Sequence, residues 1–412
     1  MVLLGLMLSI SAMMQYSIWS YGYLPIYIVS LLFLWLDARK KMSRWALRIT
    51  VLYLCYLVTT FSGTFVGLAL GVDLNIFGRI LNHLLIIFTC VTLICRFVIR
   101  KNRHESIIGN DFCGLVQGAL LGYFLLILAV ISHYLMYETY GVDLFTEARS
   151  SAHTREAGQR VFIRATGFIR EPSFAVPFIF DFMVYACIAL RNSILKMAAL
   201  TLACLAGVLI SSPAFYLTLL VILGALMAMN FPLKYSAWLK VSSAMVFIVA
   251  AGVVTGYFFT DQLGYNASRI GSFFSQPSAR KDMLLGALDL MSNANGVSNW
   301  IFGRGFSGFE SLEVNAVDTP SGSIFHSSPN NLWVHLLFNS GIVGLIFYVA
   351  FLFNLVAVKY CKMSNIATVF LAVFLSASMY RSDFVSLRFG LNLAIMCIYF
   401  QWLRLGKILS KY

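Results

Sequence analysis

Charged residues are scarce in this chain. Only 11% of its 412 residues are Asp, Glu, Lys or Arg, and 60% are apolar, whereas a soluble domain carries about 25% charged residues. A water-facing surface cannot be built from this composition, so a soluble globular fold is excluded. The apolar residues occur in runs of about 17 to 25, which is the length at which a helix crosses a bilayer. Barrel strands would give alternating segments of about 10 residues instead.

The sequence also lacks the motifs of several enzyme classes. It contains no Asp-x-Asp, no HExxH, no paired Cys or His ligand set and no Walker motif with GK[ST]. We therefore expect no cofactor, no catalytic metal and no direct use of ATP. The eight cysteines lie in apolar runs or beside short basic turns, so no disulfide framework is indicated.

The basic residues predict an orientation. The net charge of +13 is dispersed between the apolar runs, which argues against a nucleic-acid partner. More than half of the 30 Lys and Arg lie in clusters that follow every second run, and the positive-inside rule makes these turns and both termini cytoplasmic. The predicted spans are 2–19, 22–36, 46–70, 80–99, 112–136, 173–190, 194–211, 214–230, 241–259, 331–357, 366–380 and 389–404.

These patterns predict an all-α polytopic membrane protein in which residues 1–412 form a single integral membrane domain of about twelve transmembrane helices. Two connections are too long to be turns, roughly 137–171 and 260–330. Both are predicted on the side away from the cytoplasm and are expected to contain short helices. Connections longer than about 15 residues usually carry function.

The first long loop is rich in arginine and ends in Arg170-Glu171-Pro172-Ser173, where the sixth span begins. Proline suits the first turn of a helix, so the helix should start there. Its free N–H groups beside Arg170 would form an anion-binding site, and a diphosphate group is the ligand that suits such a site. In the alternative, the arginines of this loop, including Arg164, pair with nearby acids or lipid head groups. The loop arginines are Arg149, Arg155, Arg160, Arg164 and Arg170.

The second long loop contains an amphipathic segment and a glycine-rich turn. Residues 278–292 place Met283, Ala287 and Met291 on one helical face, which predicts a helix that lies along the interface or caps the bundle, with Arg280 at its start. The stretch from Gly303 to Gly308 formally matches GxGxxG, but it lacks a βαβ context and the acidic residue that reads a ribose. We interpret it as a flexible turn that contains Arg304.

His326 begins the polar stretch of sequence that leads into the tenth span, and Asn330 and Asn331 follow it. An imidazole that titrates near neutral pH can accept a proton from a hydroxyl. An ordinary surface histidine is the alternative.

Asp181 lies about ten residues into the sixth span, where a carboxylate needs a partner or a function. It could relay protons in a transporter, although a paired or protonated residue inside the bundle is the favoured interpretation. His83, His133 and His335 lie nearer helix ends and are expected to make hydrogen bonds between helices.

The order of these features resembles the bacterial O-antigen polymerase and ligase families. The resemblance covers roughly residues 160–350. It rests on the motif from Gly167 to Ser173, the motif from Leu209 to Pro213, Arg280 on a loop helix, the stretch from Phe302 to Phe306, and His326 through Asn331 leading to Gly341-Ile-Val-Gly344-Leu.

The resemblance implies a GT-C-like, metal-independent glycosyltransferase of the bacterial inner membrane with a periplasmic active site. Such a protein would use undecaprenyl diphosphate-linked oligosaccharides as donor and acceptor, within membrane lipid and with a chain-length regulator as a further partner. It implies His326 as the base, and Arg170 and Glu171 as further catalytic residues. Arg164, Arg280, Arg304, Asn330 and Asn331 would bind the diphosphate and substrate.

Three alternatives remain open. An O-antigen ligase or a capsule polymerase would use the same lipid diphosphate chemistry. A lipid-linked oligosaccharide flippase belongs to another class, and it should have short loops and functional charges inside its bundle. The arginine-bearing loops favour the polymerase over the flippase.

Overall fold

A computed structural model describes most of the chain. The described residues are 1–16, 23–37, 44–69, 76–97, 105–144, 154–157, 160–169, 171–230, 287–288, 291–292, 296–305, 316–319, 322–325, 331–356, 365–380 and 386–404. The ninth predicted span, 241–259, lies outside them, as do Arg170, Arg280, His326 and Asn330.

Helices dominate the described residues. They are α1 (Val2–Met14), α2 (Tyr23–Asp37), α3 (Arg44–Ala69), α4 (Ile76–Phe97), α5 (Glu105–Tyr140), α6 (Pro172–Ala189), α7 (Ser193–Ile210), α8 (Pro213–Asn230), α9 (Gly296–Phe302), α10 (Leu332–Val356), α11 (Asn365–Tyr380) and α12 (Leu387–Arg404). Every predicted span outside 241–259 coincides with one of these helices, and α9 is a short helix in the second long loop, as predicted. The helical prediction is therefore confirmed for the described residues.

Several of these helices could span a membrane. Four segments are long and apolar enough by length and composition, namely Asn110–Tyr140, Pro172–Ala189, Ser193–Ile210 and Leu332–Asn354. Shorter apolar segments lie in α1, α3, α4, α8, α11 and α12. The structure is thus consistent with a helical membrane protein.

The α5 helix is longer than predicted. It continues through Glu138 and Thr139 to Tyr140, so the first residues of the predicted 137–171 loop are helical. Polar residues do not end a helix that retains its backbone hydrogen bonds. The end comes at Gly141, whose φ of +66° suits glycine, and whose N–H donates to the Tyr137 carbonyl at 2.8 Å.

Two short antiparallel hairpins were not predicted. Strand β1 (Thr154–Ala157) pairs with β2 (Arg160–Ile163) in the first long loop, and β3 (Ala316–Thr319) pairs with β4 (Gly322–Phe325) in the second. The expectation that the loops contain short helices was therefore incomplete. Four-residue strands fall below the length at which periodicity gives a clear signal.

Helices α1 and α5 pack in parallel through small residues. A Cβ atom at Gly118 would lie 1.9 Å from the Val2 carbonyl oxygen, and one at Gly122 would lie 1.9 Å from Ser9 Oγ. Later residues of α1 therefore contact later residues of α5, so the two helices run in the same direction. Backbones approach this closely only where side chains are absent, as is common between helices in membranes.

Several helix termini meet at one end of the bundle, which we call the Glu171 end. The Leu387 N–H at the start of α12 donates to Gln15 Oε1 after α1 at 2.9 Å. Tyr16 packs edge-on against Phe174 in the first turn of α6, with ring centroids 5.4 Å apart. These contacts bring the end of α1 to the starts of α6 and α12, as an alternating arrangement of helices requires.

The histidine predictions had different outcomes. Tyr53 OH and His83 Nδ1 lie 3.2 Å apart, so His83 joins α3 to α4 as predicted. His133 contacts Asp143, just beyond the end of its own helix, with Nε2 and Oδ1 2.9 Å apart, and its expected hydrogen bond to another helix stays a prediction. His335 is buried in the second turn of α10, and its expected hydrogen bond to another helix stays a prediction.

Candidate functional site

Glu171 and Pro172 set the start of α6. Glu171 is the N-cap in extended conformation, and Pro172 takes the first helical position, as predicted. The Glu171 carbonyl accepts hydrogen bonds from the N–H groups of Phe174 at 2.9 Å and Ala175 at 3.3 Å. Its side chain accepts one from Ser173 Oγ at 3.4 Å and does not cap the helix backbone. The Glu171 carboxylate is thus half-buried beside the helix start.

Arg164 lies against the turn between α7 and α8. Its Nε donates to the Ser211 carbonyl at 3.2 Å, and the Ala165 N–H donates to the Leu209 carbonyl at 3.2 Å. Ser211 ends α7 in the left-handed conformation, and Pro213 begins α8. Two motifs that are distant in the sequence therefore meet, and Arg164 is held as a buried cation near the start of α6.

Gly167 fixes the segment that joins Arg164 to Glu171. Its φ is +59°, and a Cβ atom there would lie 3.0 Å from Ala129 Cβ and 3.1 Å from the Val130 backbone nitrogen. A side chain would press on α5, so glycine allows the segment to pass between α5 and α7. The segment is built into the bundle rather than extended into solvent.

Arg304 lies where α3, α9 and α10 meet. Helix α10 is broken at Gly341, where φ is 63° and ψ is −169°. Such a break leaves carbonyl groups of the preceding turn without their usual donors. Two of them accept from the loop instead: Phe338 O from the Arg304 N–H at 2.7 Å and Asn339 O from the Gly305 N–H at 2.9 Å. The described part of the predicted flexible turn is therefore fixed.

The Arg304 side chain is largely buried, and part of its guanidinium has no hydrogen-bond partner among the described residues. It is 8% exposed, and its Nε has no hydrogen-bond partner. Burial lowers the pKa of the Arg304 guanidinium because desolvation penalises the charged form. The side-chain oxygen of Asn339, on the helix that receives this loop, is also buried without a partner. Burying an unpaired cation costs on the order of several kcal/mol, so the position favours an external anion.

Asn331 caps α10 and ties it to α11. Its Oδ1 accepts from the N–H groups of Trp333 at 3.0 Å and Val334 at 3.1 Å, and its Nδ2 donates to the Met379 carbonyl at 3.1 Å. Trp333 Nε1 also donates to Ser378 Oγ at 3.0 Å. The amide of Asn331 is therefore engaged within the protein, which favours a positioning role over direct substrate binding.

Asp181 is paired inside the bundle, as favoured, and its partner is Arg388 of α12. Arg388 Nε lies 2.5 Å from Asp181 Oδ2, and Arg388 Nη2 lies 2.9 Å from Oδ1. Asn392 Nδ2 donates to Asp181 Oδ2 at 2.7 Å, and Tyr185 OH donates to Asn392 Oδ1. Sequence reasoning missed Arg388, although an arginine at the edge of an apolar run was the available signal.

A small cavity of about 30 Å³ adjoins this pair. It is lined by Asp181, Arg388 and Asn392, and by residues that include Leu332 and Ser378. Leu332 follows Asn331, so the cavity lies between the pair and the start of α10. Its size suits about one ordered water molecule rather than a lipid or sugar.

The candidate residues thus fall into three places. Glu171 and Arg164 lie along one segment that enters α6, Arg304 lies at the break in α10, and Asn331 caps α10. Arg170, Arg280, His326 and Asn330 lie outside the described residues. Within the part of the chain that the structure describes, no group of three or more His, Cys, Asp or Glu could hold a metal ion.

Comparison with known proteins adds no family assignment, because no family model, no curated protein and no solved structure matches this chain.

Proposed function

We propose that this protein is an O-antigen or related surface polysaccharide polymerase. It would join undecaprenyl diphosphate-linked repeat units at the periplasmic face of a bacterial inner membrane, with both termini in the cytoplasm. The reducing-end sugar of the growing chain would be transferred from its lipid diphosphate to a hydroxyl at the non-reducing end of an incoming unit. The Glu171 end would then face the periplasm.

The observation that carries this proposal is the buried Arg304 side chain, whose Nε has no hydrogen-bond partner among the described residues. A protein gains nothing in stability from such a cation, whereas binding an anion compensates its lost hydration. Diphosphate offers several oxygens and a multiple negative charge, which match the donors of a guanidinium. The unpartnered cation supports an anionic substrate group over a neutral glycan alone.

Glycosyl transfer from a lipid diphosphate needs only a few protein groups besides Arg304. Breaking the bond from sugar to diphosphate leaves negative charge on the diphosphate, which fixed cations stabilise without metal. Arg164 is such a cation near the start of α6, and Arg170 and Arg280 are predicted to add to it. His326 would accept the proton of the attacking hydroxyl, while Glu171 would orient an arginine. Asn330 and Asn331 would shape the approach to α10.

The flippase alternative predicts different behaviour of the buried charges. A transporter needs an intramembrane charge that exchanges partners during its cycle. Asp181 and Arg388 instead form two hydrogen bonds with each other, and Asn392 donates a third to the carboxylate. Because these hydrogen bonds are already made within the protein, the pair is expected to stay fixed. A fixed pair favours the polymerase over the flippase.

The deciding experiment uses purified protein in detergent. Lipid-linked oligosaccharides extracted from cells that lack this protein are incubated with it, and the products are separated by gel and mass spectrometry. A ladder of longer glycans that remain on lipid supports the polymerase. Transfer to another lipid acceptor without a ladder would indicate a ligase. Unchanged substrate in detergent, with movement of the same lipids across sealed vesicles, would indicate the flippase and overturn the proposal.

A further inference from the structure

The buried pair of Asp181 and Arg388 lies beside a weak point in α6. Pro177 lies inside the helix, and proline has no N–H to donate to the carbonyl four residues before it. The turn that begins with Glu171 and Pro172 is on one side of this position, and Asp181 is on the other. Without further support, the start of α6 could change its angle relative to the rest of the helix.

Arg388 bonds to α6 at two places that bracket the turn after this proline. Its Nη2 donates to the Pro177 carbonyl at 3.3 Å and to Asp181 Oδ1 at 2.9 Å. Its guanidinium also lies over the Phe178 ring, 5.6 Å from the ring centroid. One side chain of α12 therefore holds the turn of α6 that begins at Pro177.

The pair is itself fixed from several directions. Asn392 donates to Asp181 and accepts from Tyr185, so its amide cannot turn without losing both bonds. The side chains of Arg388 and Asp181 are 6% and 2% exposed. Arg388 belongs to the first turn of α12, and the preceding Leu387 N–H is bonded to Gln15 after α1. Tyr16, which follows Gln15, packs against Phe174 in the first turn of α6, so the ends of α1, α6 and α12 contact one another beside this pair.

A stability role alone does not account for this arrangement well. Replacing a buried ion pair by neutral groups is often neutral or stabilising, so such pairs are weak evidence for stability. A fully satisfied polar network instead selects one arrangement of the elements that carry it. The arrangement selected here includes the angle of the turn at Glu171 and Pro172.

We propose that Asp181, Arg388, Asn392 and Tyr185 form a clamp that positions the start of α6 for glycosyl transfer, with Arg388 as the positioning residue. This inference rests on the proposed function for its kinetic consequence. Misplacing a reacting group by about 1 Å can reduce a rate by about 100-fold. The clamp would therefore affect turnover more than substrate binding.

Four variants test the clamp. Arg388→Met leaves Asp181 unpaired, and Arg388→Lys keeps the charge without the two-pronged geometry. The double variant Asp181→Asn with Arg388→Gln removes both charges and keeps polar groups. Arg191→Met is the control, because Arg191 is exposed in the turn between α6 and α7, away from the clamp.

Three measurements are made on each variant: the melting temperature in detergent, amide hydrogen exchange of the peptide covering residues 172–180, and kcat and KM for lipid-linked units. In the double variant we expect a melting temperature within a few degrees of the parent, exchange about tenfold faster in this peptide, and kcat reduced about 10- to 100-fold with KM within about twofold. Arg388→Lys should be intermediate, and the control unchanged.

The outcomes separate the two proposals. A double variant with the melting temperature, exchange and kcat of the parent would show that the start of α6 keeps its position without the pair, and would overturn the clamp. Faster exchange with kcat unchanged would also overturn it, since the start of α6 would then not limit turnover. If the parent protein makes no ladder, the proposed function fails, and hydrogen exchange still decides whether Arg388 holds the start of α6.

Discussion

At the scale of single residues, Arg304 poses a conflict between stability and binding. Its side chain is 8% exposed, and its Nε has no hydrogen-bond partner among the described residues. Arg304→Gln removes the buried charge, so we expect the free energy of unfolding to rise by about 1–3 kcal/mol. Inorganic diphosphate should raise the melting temperature of the parent protein and should not raise that of the variant. Thermal unfolding with and without diphosphate measures both effects.

The matched control for Arg304 is Arg191→Gln at the exposed turn between α6 and α7. A surface substitution of this kind changes stability by about 0.5 kcal/mol or less, and it should leave the response to diphosphate intact. A lower melting temperature in Arg304→Gln would mean that Arg304 already has an internal partner, for example a carboxylate of its own loop, and would contradict the anion site.

Arg170 and His326 carry the chemical step in the proposed mechanism. We expect Arg170→Ala and His326→Ala each to abolish the glycan ladder while expression stays intact. The reason is that the first removes a cation that would stabilise the departing diphosphate, and the second removes the base. The in vitro assay on purified variants provides the measurement, with Arg191→Ala as the unaffected control. Full activity in both variants would refute the assignment.

Residue types predicted some of the site but not its pairings. Glu171 and Pro172 start α6 as expected, because helix-start chemistry is local. Asp181 was predicted to need a partner, yet nothing local to α6 identifies Arg388, which is 207 residues away in the chain. The contact of Arg164 with Ser211 likewise follows from how α7 ends and α8 begins in space. Pairings between distant segments depend on packing, which a single sequence does not reveal.

At the scale of elements, the junction of α3, α9 and α10 depends on the absence of side chains. Gly305 has φ of +79°, and a Cβ atom there would lie 2.1 Å from the Thr64 backbone nitrogen. We expect Gly305→Ala to lower the free energy of unfolding by about 3 kcal/mol or more, because backbone strain and overpacking add. The loop that holds Arg304 would be displaced, so stabilisation by diphosphate should fall as well.

Gly224 is the matched control for Gly305. It lies within α8, and a Cβ atom there would have nothing within 4 Å. Alanine is favoured over glycine inside helices by about 1 kcal/mol, so Gly224→Ala should be neutral or stabilising. Melting temperatures of the two variants provide the comparison. Equal destabilisation by both would show that the junction is looser than the structure indicates.

Helix positions were predictable, whereas helix irregularities were not. Long apolar runs mark where backbone must be helical in lipid, so the predicted spans coincide with α1 to α8 and α10 to α12. The break at Gly341 was missed because hydropathy continues across it. The amphipathic prediction for 278–292 is supported where residues are described: residues 287, 288, 291 and 292 are helical, and Ala287 and Met291 are buried against Phe338.

At the scale of the whole molecule, the packing directions agree with the charge pattern. Helices α1 and α5 are parallel, as expected when the chain reverses direction an even number of times between the first and the fifth span. The end of α11 meets the start of α10 through Asn331 and Met379, which are then on the same side. These contacts fix the relative directions of the helices. They leave open which end of the bundle faces the cytoplasm, and the basic clusters alone predict that.

Single cysteines test which end of the bundle is outside. Val142 is exposed after the end of α5 at the Glu171 end, and Arg191 is exposed in the turn at the opposite end of α6. In spheroplasts, a membrane-impermeant maleimide should label Val142→Cys, whereas Arg191→Cys should react only after permeabilisation. The unsubstituted chain measures the background from the natural cysteines. Labelling of Arg191→Cys alone in intact spheroplasts would place Arg164, Glu171 and Arg304 at the cytoplasmic end of the bundle. Since the proposed reaction requires these residues to meet saccharides on the periplasmic surface, that result would exclude a periplasmic polymerase whatever the anion affinity of Arg304.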